Sequence, residues 1–283
     1  MLLGKNFQIL EKTVLAPHIF SMWIQAPDIA RKFEPGQFLI VRLNEVGERI
    51  PLTIVDADVG GGRVLLLVQV VGRSTTEMSR LNAGDTILDV VGPLGLGIHV
   101  EKMSGKVVCV GGGIGIAPLY PKAKALKNAG NHIVSILGAR TRDLLMLEQE
   151  MRSISDECIV CTDDGTYGRK ALVTEPLREV LERGEEVSEV IAIGPPIMMK
   201  FVCRTTAPFP TKTWVSLNPI MIDGTGMCGG CRVTSNGNVR FACVDGPVFE
   251  GQGIDWDEML SRLQTFSDQE QEAQNHICRV RNQ

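Results

Sequence analysis

The chain has 283 residues, 44% of them apolar and 22% charged, with 30 glycines and 14 prolines. That balance excludes a disordered or collagen-like chain, and the length suggests about two domains. A net charge of -4 argues against nucleic acid or an anionic membrane as the main partner, and eight cysteines are too few for a disulfide scaffold.

Met1 to Leu10 holds only a short apolar run, broken by Lys5, with no small-residue cleavage site after it. No apolar run approaches the roughly 18 residues that span a bilayer. No membrane span and a cytoplasmic location are therefore expected. In that compartment clustered cysteines bind metal more often than they pair.

Residues 1–103 read as β-rich. Strands are predicted over His18–Ala26, Gln37–Leu43 after a Pro35-Gly36 turn, Ile50–Val55, Val64–Val71 and Asp85–Val91. A short helix is predicted over Thr75–Leu81. Many short strands between turn signals suggest a small barrel or sandwich. Residues 104–217 change texture. Strands at Lys106–Val110, His132–Leu137, Cys158–Cys161, Glu189–Ile193 and Thr213–Ser216 alternate with helices at Leu119–Asn128, Leu144–Ile154, Ala171–Arg183 and Ile197–Thr205. Such alternation indicates βαβ units and a parallel sheet. In residues 218–283 the alternation stops and glycine and cysteine concentrate. Asp255–Phe266 is then predicted as an amphipathic helix with Trp256, Met259, Leu260, Leu263 and Phe266 on one face. The polar tail from Ser267 is expected to fray.

Three cysteines fall in the pattern Asp223-x4-Cys228-x2-Cys231-x11-Cys243. Plant-type iron–sulfur sites use C-x4-C-x2-C with a distant fourth cysteine. Here Asp223 stands first and offers a carboxylate oxygen. The intervening glycines suit close approach of backbone amides to a cluster. A Cys3Asp zinc site, and a disulfide with a spare thiol, are the competing readings. Cys158 and Cys161 sit at i and i+3 of a predicted strand and face opposite sides, so core packing is expected. Cys109 and Cys203 are expected to be buried, and Cys278 to be a free thiol.

Two glycine turns end predicted strands. Gly111-Gly112-Gly113-Ile114-Gly115 runs into a helix with Pro118 in its first turn, although Ile116 breaks the strict G-x-G-x-x-G pattern. Gly194-Pro195-Pro196 follows the strand at Glu189–Ile193. Backbone amides at such turns can hold a pyrophosphate; the alternative is a tight turn without a ligand. In the β-rich part, Arg49-Ile50-Pro51-Leu52-Thr53 and Gly72-Arg73-Ser74-Thr75-Thr76 place arginine and amides where a phosphate could bind, though each is weak alone.

In this order, with Gly92-Pro93-Leu94-Gly95 between them, these motifs resemble the ferredoxin–NADP reductase superfamily over about residues 5 to 266. The resemblance is to electron-transfer subunits with a C-terminal [2Fe–2S] loop. Those of dihydroorotate dehydrogenase and sulfide dehydrogenase are similar, and the small subunits of NADH-dependent reduced ferredoxin:NADP oxidoreductases more so. The last group is favoured by Asp at the first cluster position and by the segment Asp255–Leu260.

The resemblance implies a β-barrel FAD domain, an α/β parallel-sheet NAD domain and a small irregular [2Fe–2S] lobe. It implies that Pro51, Leu52 and Thr53 lie along the flavin, and Val68, Gln69 and Val70 beneath its adenine side. Ser74 and Thr75 would sit at the FAD pyrophosphate beside Gly72. Gly112, Gly113 and Gly115 would hold the nicotinamide dinucleotide, with Gly194, Pro195 and Pro196 near the nicotinamide. Asp223, Cys228, Cys231 and Cys243 would ligate the cluster. Many relatives carry arginine where Ile50 stands; here Arg49 is the neighbour that would reach the pyrophosphate.

The implied activity is electron exchange among NAD(H), FAD, a [2Fe–2S] cluster and a larger flavoprotein subunit with [4Fe–4S] clusters, by flavin-based bifurcation. No side chain is assigned a catalytic role. NADH is the implied dinucleotide, although Arg140 and Arg142 lie where a 2′-phosphate is read. A non-enzymatic redox or iron sensor is the reading from a different class.

Overall fold

Alternation of apolar residues builds the first sheet. The computed structural model describes residues 7–270 and 272. Its first seven strands are β1 (Phe7–Ala16), β2 (Ile19–Gln25), β3 (Phe38–Arg42), β4 (Ile50–Asp58), β5 (Arg63–Gln69), β6 (Thr86–Ile87) and β7 (Asp89–Leu94). They pair antiparallel in the order β6-β1-β2-β5-β4-β3-β7. The two edge strands, β6 and β7, are separated in sequence by Leu88 alone, so the sheet must curl until its edges meet as a nearly closed barrel. Phe20, Met22 and Ile24 on β2 face Val68, Leu66 and Val64 on β5 across the ladder, and all six are buried. Each such side chain contributes about 1.5–3 kcal/mol relative to exposure. Two short helices, α1 (Pro27–Lys32) and α2 (Arg73–Met78), bury Ile29 and Met78 in the same core.

The barrel differs from expectation in four places. Strand β1 precedes the first predicted strand; most of its residues are exposed or half-buried, so it carries no clear apolar signal. The predicted strand at His18 starts at Ile19, because His18 takes a left-handed φ of 61° in the β1–β2 turn. The segment Asp85–Val91 divides into β6 and β7 at opposite edges of the sheet. Helix α1 was not anticipated, being only six residues long.

The second sheet is the expected α/β layer. Its elements are β8 (Lys106–Gly112), α3 (Ile116–Asn128), β9 (Ile133–Ala139), α4 (Glu148–Ile154), β10 (Glu157–Thr162), β11 (Arg169–Lys170), α5 (Thr174–Glu182), β12 (Val187–Ile193), α6 (Pro196–Thr206) and β13 (Lys212–Ser216). There follow a hairpin of β14 (Arg232–Ser235) and β15 (Asn238–Phe241), then β16 (Val248–Glu250) and α7 (Trp256–Leu263). The sheet order is β11-β10-β9-β8-β12-β13-β16. It is parallel except for β16, which returns antiparallel onto β13. The expected all-parallel sheet is thus closed on one edge by a strand from the glycine-rich region. Order reverses between β8 and β12, the switch point at whose carboxyl ends such sheets take ligands.

Helix α4 starts at Glu148 rather than Leu144. Arg142–Leu144 forms a 3-10 turn, and Leu147 adopts a left-handed φ of 53°. In α7, Trp256 and Met259 are buried, while Leu260 and Leu263 are half-buried and Phe266 is exposed. Ser267–Glu270 is helical, where fraying was expected; the expectation for residues 273–283, with Cys278, lies outside the described residues.

One apolar core links all three regions. It holds Phe38 and Ile40 from β3, Val108 and Val110 from β8, and Cys231, Cys243, Trp256 and Met259 from the C-terminal region. Among the described residues, no helix is long and apolar enough to cross a membrane.

Candidate redox site

The cysteine loop is bent by glycines. Gly224, Gly226 and Gly229 have φ of 74°, 84° and 66°, a region side chains rarely enter. Asp223 closes the first bend: its Oδ1 accepts from Thr225 N at 2.9 Å and its Oδ2 from Cys228 N at 2.7 Å. The Thr225 amide first, with Cys228 behind it, holds the carboxyl below the usual carboxylate range. Cys231 and Cys243 lie buried with their sulfurs 3.1 Å apart. Burial first, then the adjacent Cys231 thiol, pushes Cys243 up to about 12. Cys228 is exposed and accepts from Gly230 N at 3.5 Å.

The four residues singled out from the sequence thus come together as two pairs, Asp223 with Cys228 and Cys231 with Cys243. Among the described residues, no three His, Cys, Asp or Glu side chains converge on one point as a single metal ion would need. The donor chemistry fits an iron–sulfur group: three thiols and a carboxylate on one loop, with an amide already aimed at the Cys228 sulfur. A Cβ on Gly230 would lie 3.6 Å from Cys228 Sγ, so the backbone runs close to that sulfur.

The remaining described cysteines stay apart from this loop. Burial pushes Cys109 and Cys203 up to about 12, Cys161 up to about 11, and Cys158 upward, so none is a ready thiolate.

The loop rests on the barrel. A Cβ on Gly224 would come within 2.6 Å of Leu94 Cδ1 and 3.0 Å of Ile40 Cγ1. Ile40 is the ladder partner of Pro51 on β4, and Leu39 and Phe38 pair with Leu52 and Thr53. One strand therefore separates the cysteine loop from Pro51-Leu52-Thr53. Leu96 N also donates to Gly246 O at 2.7 Å, tying the barrel exit to the turn after Cys243.

Val68 and Gln69 end β5, with Val68 buried and Gln69 and Val70 half-buried. Helix α2 begins at Arg73, two residues before the predicted start, with Gly72 as its N-cap. Thr75 Oγ1 accepts from Val71 N at 3.0 Å and Gly72 N at 3.1 Å. Ser74 Oγ donates to Glu48 Oε2 at 2.6 Å. That bond draws together the two weak motifs of the barrel, since Glu48 adjoins Arg49. Arg49 itself is exposed in the loop before β4.

The two glycine turns pack directly on one another. A Cβ on Gly115 would lie 2.4 Å from Ile193 O and 2.6 Å from Gly194 Cα, so only glycine allows the approach. Gly112 and Gly194 are both covered by Met198, in the first turn of α6 behind Pro195 and Pro196. Gly113 has a φ of 54° and open space around its Cα. Beyond β9, Arg140 is exposed and Arg142 lies 5.2 Å over the Tyr167 ring. A cleft of about 520 Å³ opens between α5 and α6, but none of the candidate site residues lines it.

Sequence reasoning missed Glu48, Met198, Arg232 and Arg262. Met198 stands three residues after Pro195, a helical spacing that could have flagged it, and Arg232 adjoins Cys231 and bonds Gly229 O in the same loop; Glu48 and Arg262 meet their partners only across the fold.

Known proteins resolve what this arrangement is. Residues 218–255 match the iron–sulfur cluster binding domain of dihydroorotate dehydrogenase B, and residues 109–204 match the oxidoreductase NAD-binding domain. A Thermotoga maritima protein, a homolog of the electron transfer subunit of dihydroorotate dehydrogenase B (NAD(+)), is 51% identical over 263 residues, covering 93% of this chain and 92% of its own. This chain belongs to that electron-transfer subunit family. The Desulforamulus reducens electron transfer subunit is 32% identical, covering 88% of this chain and 97% of its own. A solved chain of NADH-dependent reduced ferredoxin-NADP oxidoreductase, studied for flavin-based electron bifurcation, is 47% identical with a TM-score of 0.91, covering 98% of this chain and 100% of that one. Phthalate dioxygenase reductase, at 19% identity and a TM-score of 0.58 over 82% of this chain and 86% of its own, shares the fold.

The chain is thus an NAD(P)H-dependent oxidoreductase subunit of ferredoxin–NADP reductase-like fold, whose cofactors are FAD and a [2Fe–2S] cluster, with NAD(H) as substrate. Its homologues are small electron-transfer subunits of heteromeric complexes with a larger partner.

Proposed function

We propose that this chain is the small subunit of a cytoplasmic, bifurcating NADH-dependent reduced ferredoxin:NADP oxidoreductase, beside a larger flavoprotein that carries [4Fe–4S] clusters. One observation carries the reading: the likeness to the solved chain of that enzyme extends over 98% of this chain, cysteine loop included. When bound, FAD exchanges an electron pair with NADH as hydride, and the cluster carries electrons singly. The chain's own residues hold and orient these groups.

In this reading residues 1–103 carry FAD, 104–217 carry NAD(H) and 218–283 carry the cluster. Pro51, Leu52 and Thr53 line the flavin, and Val68, Gln69 and Val70 underlie the adenine side. Gly72, Ser74 and Thr75 take the FAD pyrophosphate, with Arg49 supplying charge from the loop tied to Ser74 through Glu48. Gly112, Gly113 and Gly115 receive the dinucleotide against Gly194, Pro195 and Pro196; the backbone contact between Gly115 and Gly194 supports a shared site. Asp223, Cys228, Cys231 and Cys243 ligate the cluster. The short path from Gly224 through Ile40 to Pro51 supports electron passage between loop and flavin strand.

Steady-state assay of the purified complex tests this. NADPH should reduce oxidised ferredoxin and NAD+ together, with NADH as product, and dihydroorotate should not support turnover. Activity with dihydroorotate instead would establish the second reading, which the match over residues 218–255 favours. Iron, acid-labile sulfide and flavin absorbance should all be present; a cluster without flavin would point to a sensor. Replacing the carboxylate ligand with a thiolate, Asp223→Cys, should move the cluster's reduction potential, read by redox titration. An unchanged potential would sink Asp223 as a ligand that tunes transfer.

A further inference from the structure

The carbonyls of the two glycines between Cys228 and Cys231 are both held by arginines. Arg232 Nη1 donates to Gly229 O at 3.3 Å, and Arg262 Nη2 donates to Gly230 O at 3.1 Å. The second contact crosses 32 residues of sequence, from α7 to the cysteine loop. Gly229 O and Gly230 N–H belong to one trans peptide and point opposite ways, so with Gly229 O held by Arg232, Gly230 N–H faces Cys228 Sγ. The Arg232 side chain is the more exposed of the two; Arg262 is part-buried, and its Nε is sealed from solvent without a hydrogen-bond partner. A buried polar atom left unpaired costs stability, so something else must favour the placement.

We propose that Arg262, assisted by Arg232, is a positioning and charge-compensating residue for the cluster. The inference rests on the cluster assignment above. It has two parts. By gripping Gly229 O, Arg232 fixes the peptide whose amide faces Cys228 Sγ, and Arg262, on Gly230 O, anchors the next peptide of the same turn. Hydrogen bonds to cluster sulfurs, net charge and solvent exposure set the potential of such centres. Reduction adds one negative charge to the cluster, and a nearby guanidinium that water screens only partly favours that reduced form. Both parts raise the reduction potential. The chain thereby couples its C-terminal helix to the electron affinity of its cysteine loop.

The test uses the full chain purified anaerobically, with iron and sulfide measured before any variant is compared. Their absence from the unsubstituted protein overturns the cluster assignment itself. With the cluster present, Arg262→Gln should lower the equilibrium constant for one-electron reduction about tenfold, a 59 mV fall for a one-electron couple. Arg262→Lys, which keeps the charge, should restore most of it. The readout is the midpoint of an EPR-monitored redox titration, which a purely structural role would not move in this charge-dependent way. A cluster retained by Arg262→Lys but lost from Arg262→Gln also supports the proposal. Two variants indistinguishable from the parent, two that fall equally, or a cluster lost alike from both, overturn it.

Discussion

Glycines 113 and 115 stand two residues apart and are glycine for different reasons. Gly113 needs its left-handed φ of 54°, with nothing within 4 Å of an added Cβ. Alanine there should cost about 1–2 kcal/mol of backbone preference and leave the fold intact. Gly115 is glycine because Ile193 O and Gly194 Cα, both backbone, occupy the Cβ position. Gly115→Ala must push β12 away from the turn, and should cost more, at the upper end of the ~1–3 kcal/mol of overpacking. Urea unfolding of the two variants checks the order, and NADH titration should show the larger loss of affinity for Gly115→Ala. Sequence reasoning found both glycines but could not tell these causes apart, since one is local and the other arises where two strands end side by side.

At the scale of elements, α3 clamps the α/β sheet to the barrel. Lys124 Nζ lies 3.7 Å from Asp56 Oδ2 on β4. Lys122, two residues nearer the helix start, is fully buried, its Nζ without a hydrogen-bond partner, and its Cε would lie 3.3 Å from a Cβ on Gly36. Burial pushes its ammonium down to about 7, with Cys109 nearby partly opposing. The unfolded chain then holds a proton that the folded chain releases between pH about 7 and the ordinary lysine value of 10.5. Stability from this group therefore rises with pH across that window. Above pH 9 Cys109, held up to about 12, acts in the opposite sense, so the clear interval is pH 7 to 9. Lys122→Met should be more stable than the parent at pH 7, and the gap should narrow toward pH 9 by up to ~1.4 kcal/mol per pH unit. Urea midpoints at pH 7, 8 and 9 measure it; a constant gap would contradict the assignment. Helix α3 was legible from its apolar period, but an amphipathic pattern gives no sign that a lysine faces inward.

Across the whole molecule, one apolar core joins Phe38, Val108 and Cys243, and the three regions are expected to unfold together. The chain's three tryptophans sample its three parts: Trp23 on β2, Trp214 on β13 and Trp256 on α7. Single-tryptophan variants, with the other two replaced by phenylalanine, should lose fluorescence at one urea midpoint. Midpoints that separate would mean independent units. A single midpoint would mean that the boundaries near residues 103 and 217 divide cofactor roles in the proposed function rather than units of stability. Strand β16 makes the point structurally, since it starts in the cysteine-bearing region and ends as an edge of the dinucleotide-type sheet.

What the sequence determined by itself was everything written in local pattern. Period-two strands, βαβ alternation, glycine turns at strand ends and the Asp-Cys-Cys-Cys spacing are properties of short segments, and each led to its element or cofactor. Tertiary structure alone decided the rest. It paired β6 and β7 with opposite edges of one barrel, seated Gly224 on Ile40 one strand from Pro51, tied Ser74 to Glu48, and brought Arg262 onto Gly230. Those contacts join residues 26 or more positions apart, where no local periodicity carries information. They follow from which apolar faces must be buried together, and that is settled only when all the elements pack at once.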